Sequence, residues 1–145
     1  MFFISHRGNL IGPDKKDENN PDLIINAILN GFDVEIDVHY YKNHFYLGHD
    51  EPTYLVSTEF LLNKKIWCHA KNIEALDAFQ ETSCHYFWHE NDTATITSKG
   101  YFWTYPGKKL FKNSICVLPE KADYKKIVCR GICSDYIKKY KEDYD

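Results

Sequence analysis

Glu35 and Asp37 stand two residues apart in the segment Phe32-Asp33-Val34-Glu35-Ile36-Asp37-Val38-His39. Alternate side chains of a strand share a face, so both carboxylates point the same way, about 7 Å apart along an extended chain. They are either the wet face of a surface strand or two oxygen ligands aimed at one hard cation such as Mg²⁺ or Ca²⁺. A strand inside a parallel array is covered on both faces, which favours the cation, because bare carboxylates are costly there. His6-Arg7-Gly8 follows the apolar run Phe2 to Ser5 and opens a polar loop through Asn20. The Arg7 guanidinium is a planar fork suited to phosphate oxygens, Gly8 lets backbone approach a ligand, and His6 can exchange a proton near neutral pH. Gly48-His49-Asp50 supplies a second imidazole. Two imidazoles flanking one phosphorus can divide the work of base and acid, one activating the nucleophile and one protonating the leaving alkoxide. The competing readings are a structural histidine at a strand end for His6 and a simple turn for His49-Asp50.

These groups need elements to hold them. Short apolar runs recur along the chain: Phe2 to Ser5, Val34 to Val38, Ile66 to Ala70, Tyr86 to Trp88, Tyr101 to Tyr105, Ile115 to Leu118 and Gly131 to Ser134. Phe45 to Leu47 follows Lys42-Asn43 and predicts a hairpin strand. Between the runs lie stretches of helical character at Pro21 to Leu29, Thr58 to Leu62, Ile73 to Phe79 and Lys121 to Ile127, the first ending before Gly31. Strands alternating with helices predict a parallel α/β sheet, and seven repeats predict a reduced TIM-type barrel with short helices. A full eight-fold barrel needs at least about 200 residues, so several helices must shrink to a turn or vanish. If such a barrel stays open, its unpaired edge could be covered by a second copy of the chain, giving a homo-oligomer.

Composition narrows the class. The 145 residues form one domain, residues 1–145, with no repeat or linker dividing them. A net charge of −3 gives no electrostatic reason to expect nucleic acid. No apolar run approaches the roughly 20 residues of a membrane span, and the leading Met1-Phe2-Phe3-Ile4 meets His6 and Arg7 too soon for a signal peptide. Five cysteines, an odd number without a CxxC pair, predict reduced thiols and a cytoplasmic location. Trp67 and Trp103 are expected to fill the core.

The order His6-Arg7-Gly8, Glu18-Asn19, Gly31 to Val38, then His49-Asp50 resembles the glycerophosphodiester phosphodiesterase family, akin in outline to the phosphatidylinositol-specific phospholipases C, and His89-Glu90-Asn91-Asp92 with Lys99 to Gly107 is similar to short bacterial relatives of it. The resemblance is specific over residues 4–50. It implies a barrel, a small-molecule phosphodiester substrate, and a divalent cation (Mg²⁺ or Ca²⁺, with Mn²⁺ also able to serve). It further implies His6 and His49 as the acid–base pair, Glu35 and Asp37 as metal ligands, and Arg7 on the substrate phosphate; Lys71 matches the family's lysine and either neutralises that phosphate or pairs with Glu35 or Asp37. Gly131-Ile132-Cys133-Ser134-Asp135 looks like the family's last strand. One departure concerns the metal: His69, in Trp67-Cys68-His69-Ala70-Lys71, occupies the place where the family has a third carboxylate ligand. An imidazole there can still ligate, and it moves preference toward Mn²⁺ or Zn²⁺. A second departure is the short stretch between Asp50 and Ile66, where the family carries an insertion that shapes its substrate mouth.

The expected activity is therefore metal-dependent hydrolysis of a glycerophosphodiester or similar small-alcohol phosphodiester. A different class remains open, a non-catalytic module that binds a phosphate ligand on a degenerate barrel. A zinc hydrolase built on His69, His85, His89 and nearby cysteines finds no supporting ligand spacing.

Overall fold

A computed structural model describes residues 1–145. Ten strands form one sheet: β1 (Phe2–His6), β2 (Asp33–Tyr41), β3 (His44–Leu47), β4 (Tyr54–Val56), β5 (Ile66–Ala70), β6 (Tyr86–Phe87), β7 (Ala94–Ile96), β8 (Phe102–Thr104), β9 (Ser114–Val117) and β10 (Gly131–Ser134). Four helices accompany them: α1 (Pro21–Leu29), α2 (Thr58–Leu61), α3 (Ile73–Gln80) and α4 (Ile137–Tyr144). All seven apolar runs are strands, and they lie parallel in the order β6-β5-β2-β1-β10-β9-β8. The hairpin strand is also present. Lys42 and Asn43 both take positive φ, as a two-residue turn matching the twist of its strands requires.

The expected TIM-type barrel is not what forms. The sheet is mixed and open: β3 and β4 extend β2 antiparallel, β7 lies antiparallel on β8, and no ladder joins the ends of the parallel array, β6 and β8. The crossover from β6 to β8 is built around β7 and carries no helix, so a ring of helices is absent. Lys121 to Ile127, expected to be helical, is a loop after a single 3₁₀ turn at Pro119–Lys121. Side chains bridge the open seam, with Phe87 and Trp103 rings 4.5 Å apart and His85 Nε2 2.7 Å from Thr97 Oγ1. The sheet thus curls without closing.

Three apolar clusters follow from this curl. Ile4, Trp67, Phe87, Trp103, Ile115, Val117 and Cys133 fill the concave face, drawing on six different strands. On the outer face, α1 and α3 lay Ile24, Ala27, Ala75 and Phe79 against Val34, Ile36 and Val38 of β2. α4 covers β1 and β10 through Ile137, which packs with Phe3 and Ile132. Asn20 and Asn72 cap α1 and α3, each accepting a backbone N–H with its side chain. The half of the sheet formed by β7, β8 and β9 has loops where the other half has helices. No helix is long and apolar enough to cross a membrane.

Candidate functional site

β2 is the axis of the site because it has a parallel neighbour on both sides. Register sets His6 of β1 beside Glu35, and Asp37 beside His69 of β5. Period-two alternation sends Glu35, Asp37, His6 and His69 to the concave face, above the floor formed by Trp67 and its neighbours. Glu35 and Asp37 are buried, at 2% and 0% exposure. Their oxygens and a His69 nitrogen lie within 4.8 Å of one another.

His69 is held in a definite orientation. Its Nε2 lies 2.9 Å from the His89 carbonyl oxygen, which can only accept, so Nε2 carries a hydrogen. Nδ1 then faces Asp37 Oδ1 at 3.5 Å and Glu35 Oε1 at 3.6 Å. A neutral imidazole would aim its lone pair at two carboxylates, so the arrangement calls for a proton or a cation. Burial pulls the His69 pKa down, but hydrogen bonding and charge from Asp37 and Glu35 outweigh it and carry the group up to about 9. Burial likewise pushes the Asp37 carboxyl up, and His69, Arg7 and Asn19 together hold it well below the usual range instead.

Asp37 Oδ1 and Glu35 Oε2 are buried without a hydrogen-bond partner. Such orphans are rare and costly in native interiors. Atoms bound to one ion at about 2.0–2.4 Å cannot be more than about 4.8 Å apart, and these donors meet that limit. Two carboxylate oxygens and an imidazole nitrogen suit a divalent cation. The residues present fit one.

His6 is held by a carboxylate from the far end of the chain. Its Nδ1 is 2.7 Å from Asp135 Oδ1, just beyond the end of β10, which leaves Nε2 facing the site 3.7 Å from Glu35 Oε2. Asp135 is steadied in turn by Asn9 Nδ2 at 2.9 Å, and Glu120 accepts from its backbone N–H. Burial lowers the His6 pKa, yet the Asp135 hydrogen bond and Glu35 charge overcome that and leave it raised. His49 repeats the pattern, with Nδ1 2.8 Å from Asp50 Oδ1 and Nε2 free. It sits on an exposed turn, its side chain 43% exposed, beside a cleft shared with Glu18, Asn19 and Tyr54. Gly48 makes that turn possible: at φ +150° a Cβ would stand 1.9 Å from the Glu51 carbonyl oxygen.

Arg7 does not stand free for a substrate. It adopts φ +58°, a costly conformation outside glycine, and its guanidinium spans Asp37 Oδ2 at 2.8 Å and Glu18 Oε1 at 3.1 Å. Lys71 is half-buried at the end of β5 and has no carboxylate within 4.0 Å. Of the two cations expected on phosphate, Lys71 is the unpaired one.

The sequence reading missed the residues that support these groups. Asn19 accepts from the Asp37 backbone N–H and donates to Asp37 Oδ2, both at 2.9 Å. Glu18 clamps Arg7, and Asp135 orients His6. The available signals were the Glu18-Asn19 pair near the end of the first polar loop and the Ser134-Asp135 pair closing the last apolar run, both noted in the motif order without a supporting role. Comparison with family models, curated proteins and solved structures finds no match to this chain.

Proposed function

We propose that this protein is a metal-dependent phosphodiester hydrolase acting on a small-alcohol phosphodiester such as a glycerophosphodiester. The observation that carries the reading is the buried trio of Glu35, Asp37 and His69, two of whose oxygens have no other partner. Glu35, Asp37 and His69 would hold one divalent cation, Mg²⁺, Ca²⁺ or Mn²⁺, which as a Lewis acid would polarise a phosphoryl oxygen. The motif order shared with glycerophosphodiester phosphodiesterases supports the same substrate class.

His6 and His49 each anchor Nδ1 on a carboxylate, so each exchanges a proton at Nε2. One takes a proton from the attacking water or neighbouring hydroxyl. The other gives a proton to the alkoxide as the P–O bond breaks, so the two protonation states invert over the reaction. Lys71, unpaired, draws the phosphate to the mouth, while Arg7 holds Asp37 in place and lends the site positive charge. All five cysteines are free, which supports the cytoplasm as the compartment.

A second reading, a phosphate-binding module without turnover, draws support from the exposure of His49 on its turn. Release of p-nitrophenolate from bis(p-nitrophenyl) phosphate, and of free alcohol from a panel of glycerophosphodiesters, separates the two. Turnover dependent on added Mg²⁺, Ca²⁺ or Mn²⁺ and lost in Glu35→Gln is expected. Tight metal and phosphate-ester binding without turnover would give the protein to the second reading.

A further inference from the structure

Charge is unevenly distributed along this chain. Residues 105–130 carry seven basic side chains and two acidic ones, whereas the remainder carries eleven basic and nineteen acidic. One of the two acids in that segment is consumed internally: Glu120 accepts from Ser134 Oγ at 2.9 Å and from the Asp135 backbone at 3.1 Å. None of the seven basic groups lies within 4.0 Å of a carboxylate, although Lys65 and Lys141 elsewhere do have such partners. Unneutralised lysines gathered on one wall leave a local positive field on an acidic protein.

The fold brings part of this segment together, with Lys108, Lys109 and Lys126 around one cleft, while Arg130 lies over the Phe2 ring. The segment makes the two connections flanking β9, on the half of the sheet that lacks helices. Its loops are pinned from beneath, since Leu110, Ile127 and Tyr124 pack against the cluster around Cys116. Tyr124 Oη donates to the Lys108 carbonyl at 3.0 Å and ties the two loops together. Between them lies a cleft of about 480 Å³ lined by Lys108, Lys109, Leu110, Tyr124, Lys126 and Val128. Apolar side chains stand among the lysines: Phe111 is 55% exposed with the Lys109 ammonium 5.2 Å from its ring centre, and Val128 is 64% exposed.

We infer that the wall formed by residues 105–130 is a docking surface for an anionic lipid bilayer. Lysines interspersed with exposed aromatic and aliphatic side chains match an interface of negative headgroups over hydrocarbon. Nucleic acid is the poorer fit, because the cleft offers a single aromatic ring, Tyr124, and no row of aromatic platforms for bases. Bilayer attachment here is peripheral and reversible, electrostatic in its approach and reinforced by shallow insertion of Phe111 and Val128. It is independent of the catalytic reading, since none of these residues takes part in the proposed chemistry.

Sedimentation of the full chain with vesicles tests this. Phosphatidylcholine vesicles containing about 30% phosphatidylglycerol should bind the protein at 0.1 M salt and release most of it at 0.5 M, while pure phosphatidylcholine vesicles bind little. Lys108→Gln with Lys126→Gln should weaken binding by roughly fivefold per lysine, and Lys42→Gln with Lys64→Gln, outside the segment, should leave it unchanged. Phe111→Ala should lower the salt-resistant fraction. All three variants alter exposed side chains, and circular dichroism confirms that each is folded. Equal binding to neutral vesicles, no binding to anionic ones, or loss in the control pair equal to that in the test pair would overturn the inference. Lysine-dependent binding to a single-stranded oligonucleotide without vesicle binding would overturn it in favour of nucleic acid.

Discussion

The two halves of the curled sheet are built on opposite plans. β1, β2 and β5 are covered on the outside by α1, α3 and α4, and they carry His6, Glu35, Asp37 and His69 on the concave face. β6, β8 and β9 supply aromatic and aliphatic filling to the same concave face, and loops with lysines cover β8 and β9 outside. Charges that must hold position in a dry site sit on strands fixed from both faces, where unsatisfied carboxylates can be retained. The other half has no such burden, so short strands and loops suffice. No ladder forms at the seam, where Phe87, Trp103 and Trp67 meet with ring centres 4.5–5.9 Å apart and Ser98 N–H donates to the Tyr86 carbonyl at 2.8 Å.

The largest effect expected from breaking this division is on the helix-covered half. His6→Ala should lower turnover by about 10²–10⁴-fold in steady-state assays while thermal unfolding changes little. Asp135→Asn should fall short of that loss and shift whichever limb of the pH–rate profile His6 sets, since Asp135 acts through the His6 ring. Near-normal rates in His6→Ala would remove that imidazole from the chemistry.

In the filled half the expectation reverses. Trp103→Ala should cost about 3–5 kcal/mol of stability in denaturant titrations, because a buried ring between Phe87 and Trp67 leaves a cavity. The protein that remains folded should keep its metal affinity. A drop in affinity matching the drop in stability would mean the halves are not separable.

Proton exchange at the site gives an effect of intermediate size. Because His69 is carried up to about 9, it is charged in the metal-free protein near neutrality. Metal binding at pH 7.5 should therefore release close to one proton, read by calorimetry in buffers of different ionisation enthalpy. Affinity should climb with pH, by roughly tenfold per unit, up to about 9 and then level. The sign for stability is opposite. A raised imidazole pKa stabilises the metal-free fold fully below about 6.5, and that contribution fades as pH rises through about 9. His69→Gln should abolish the first dependence and reduce the second, to which the raised pKa of His6 also contributes.

The smallest effect concerns the scaffold. Asn72 caps α3 through Ala75 N–H and also exchanges hydrogen bonds with both backbone groups of Tyr40, just past the site on β2. Asn72→Ala should destabilise by about 1–2 kcal/mol with metal affinity unchanged, as chemical denaturation and calorimetry together would show.

Much of this arrangement was legible in the chain. The seven apolar runs, the helix starting at Pro21 and the turn at Lys42-Asn43 follow from local propensity and period, which tertiary contacts did not override. The pairing of Glu35 with Asp37 on one face needed only the alternation of a strand. β4 and β7 were not legible, since each is an edge strand with no buried side chain, held by its antiparallel neighbour and not by a place in the core.

What the sequence by itself determined is therefore the set of strands, the common face of the two carboxylates and the residue types able to do proton and phosphate chemistry. The tertiary structure alone decided whether the sheet closes, because closure depends on a ladder between β6 and β8, strands far apart in the strand order, that no local signal encodes. It also decided partners. Arg7 went to Asp37 and Glu18 and not to an open mouth, and His69 took its tautomer from the His89 carbonyl. Asp135, 129 residues from His6, completed that imidazole. Charge followed the same rule: a net −3 spread over the chain conceals a basic wall, because only folding brings Lys108, Lys109 and Lys126 around one cleft. Local backbone preferences act over a few residues, whereas hydrogen-bond partners and surface fields are set by side chains that meet only after the chain has folded.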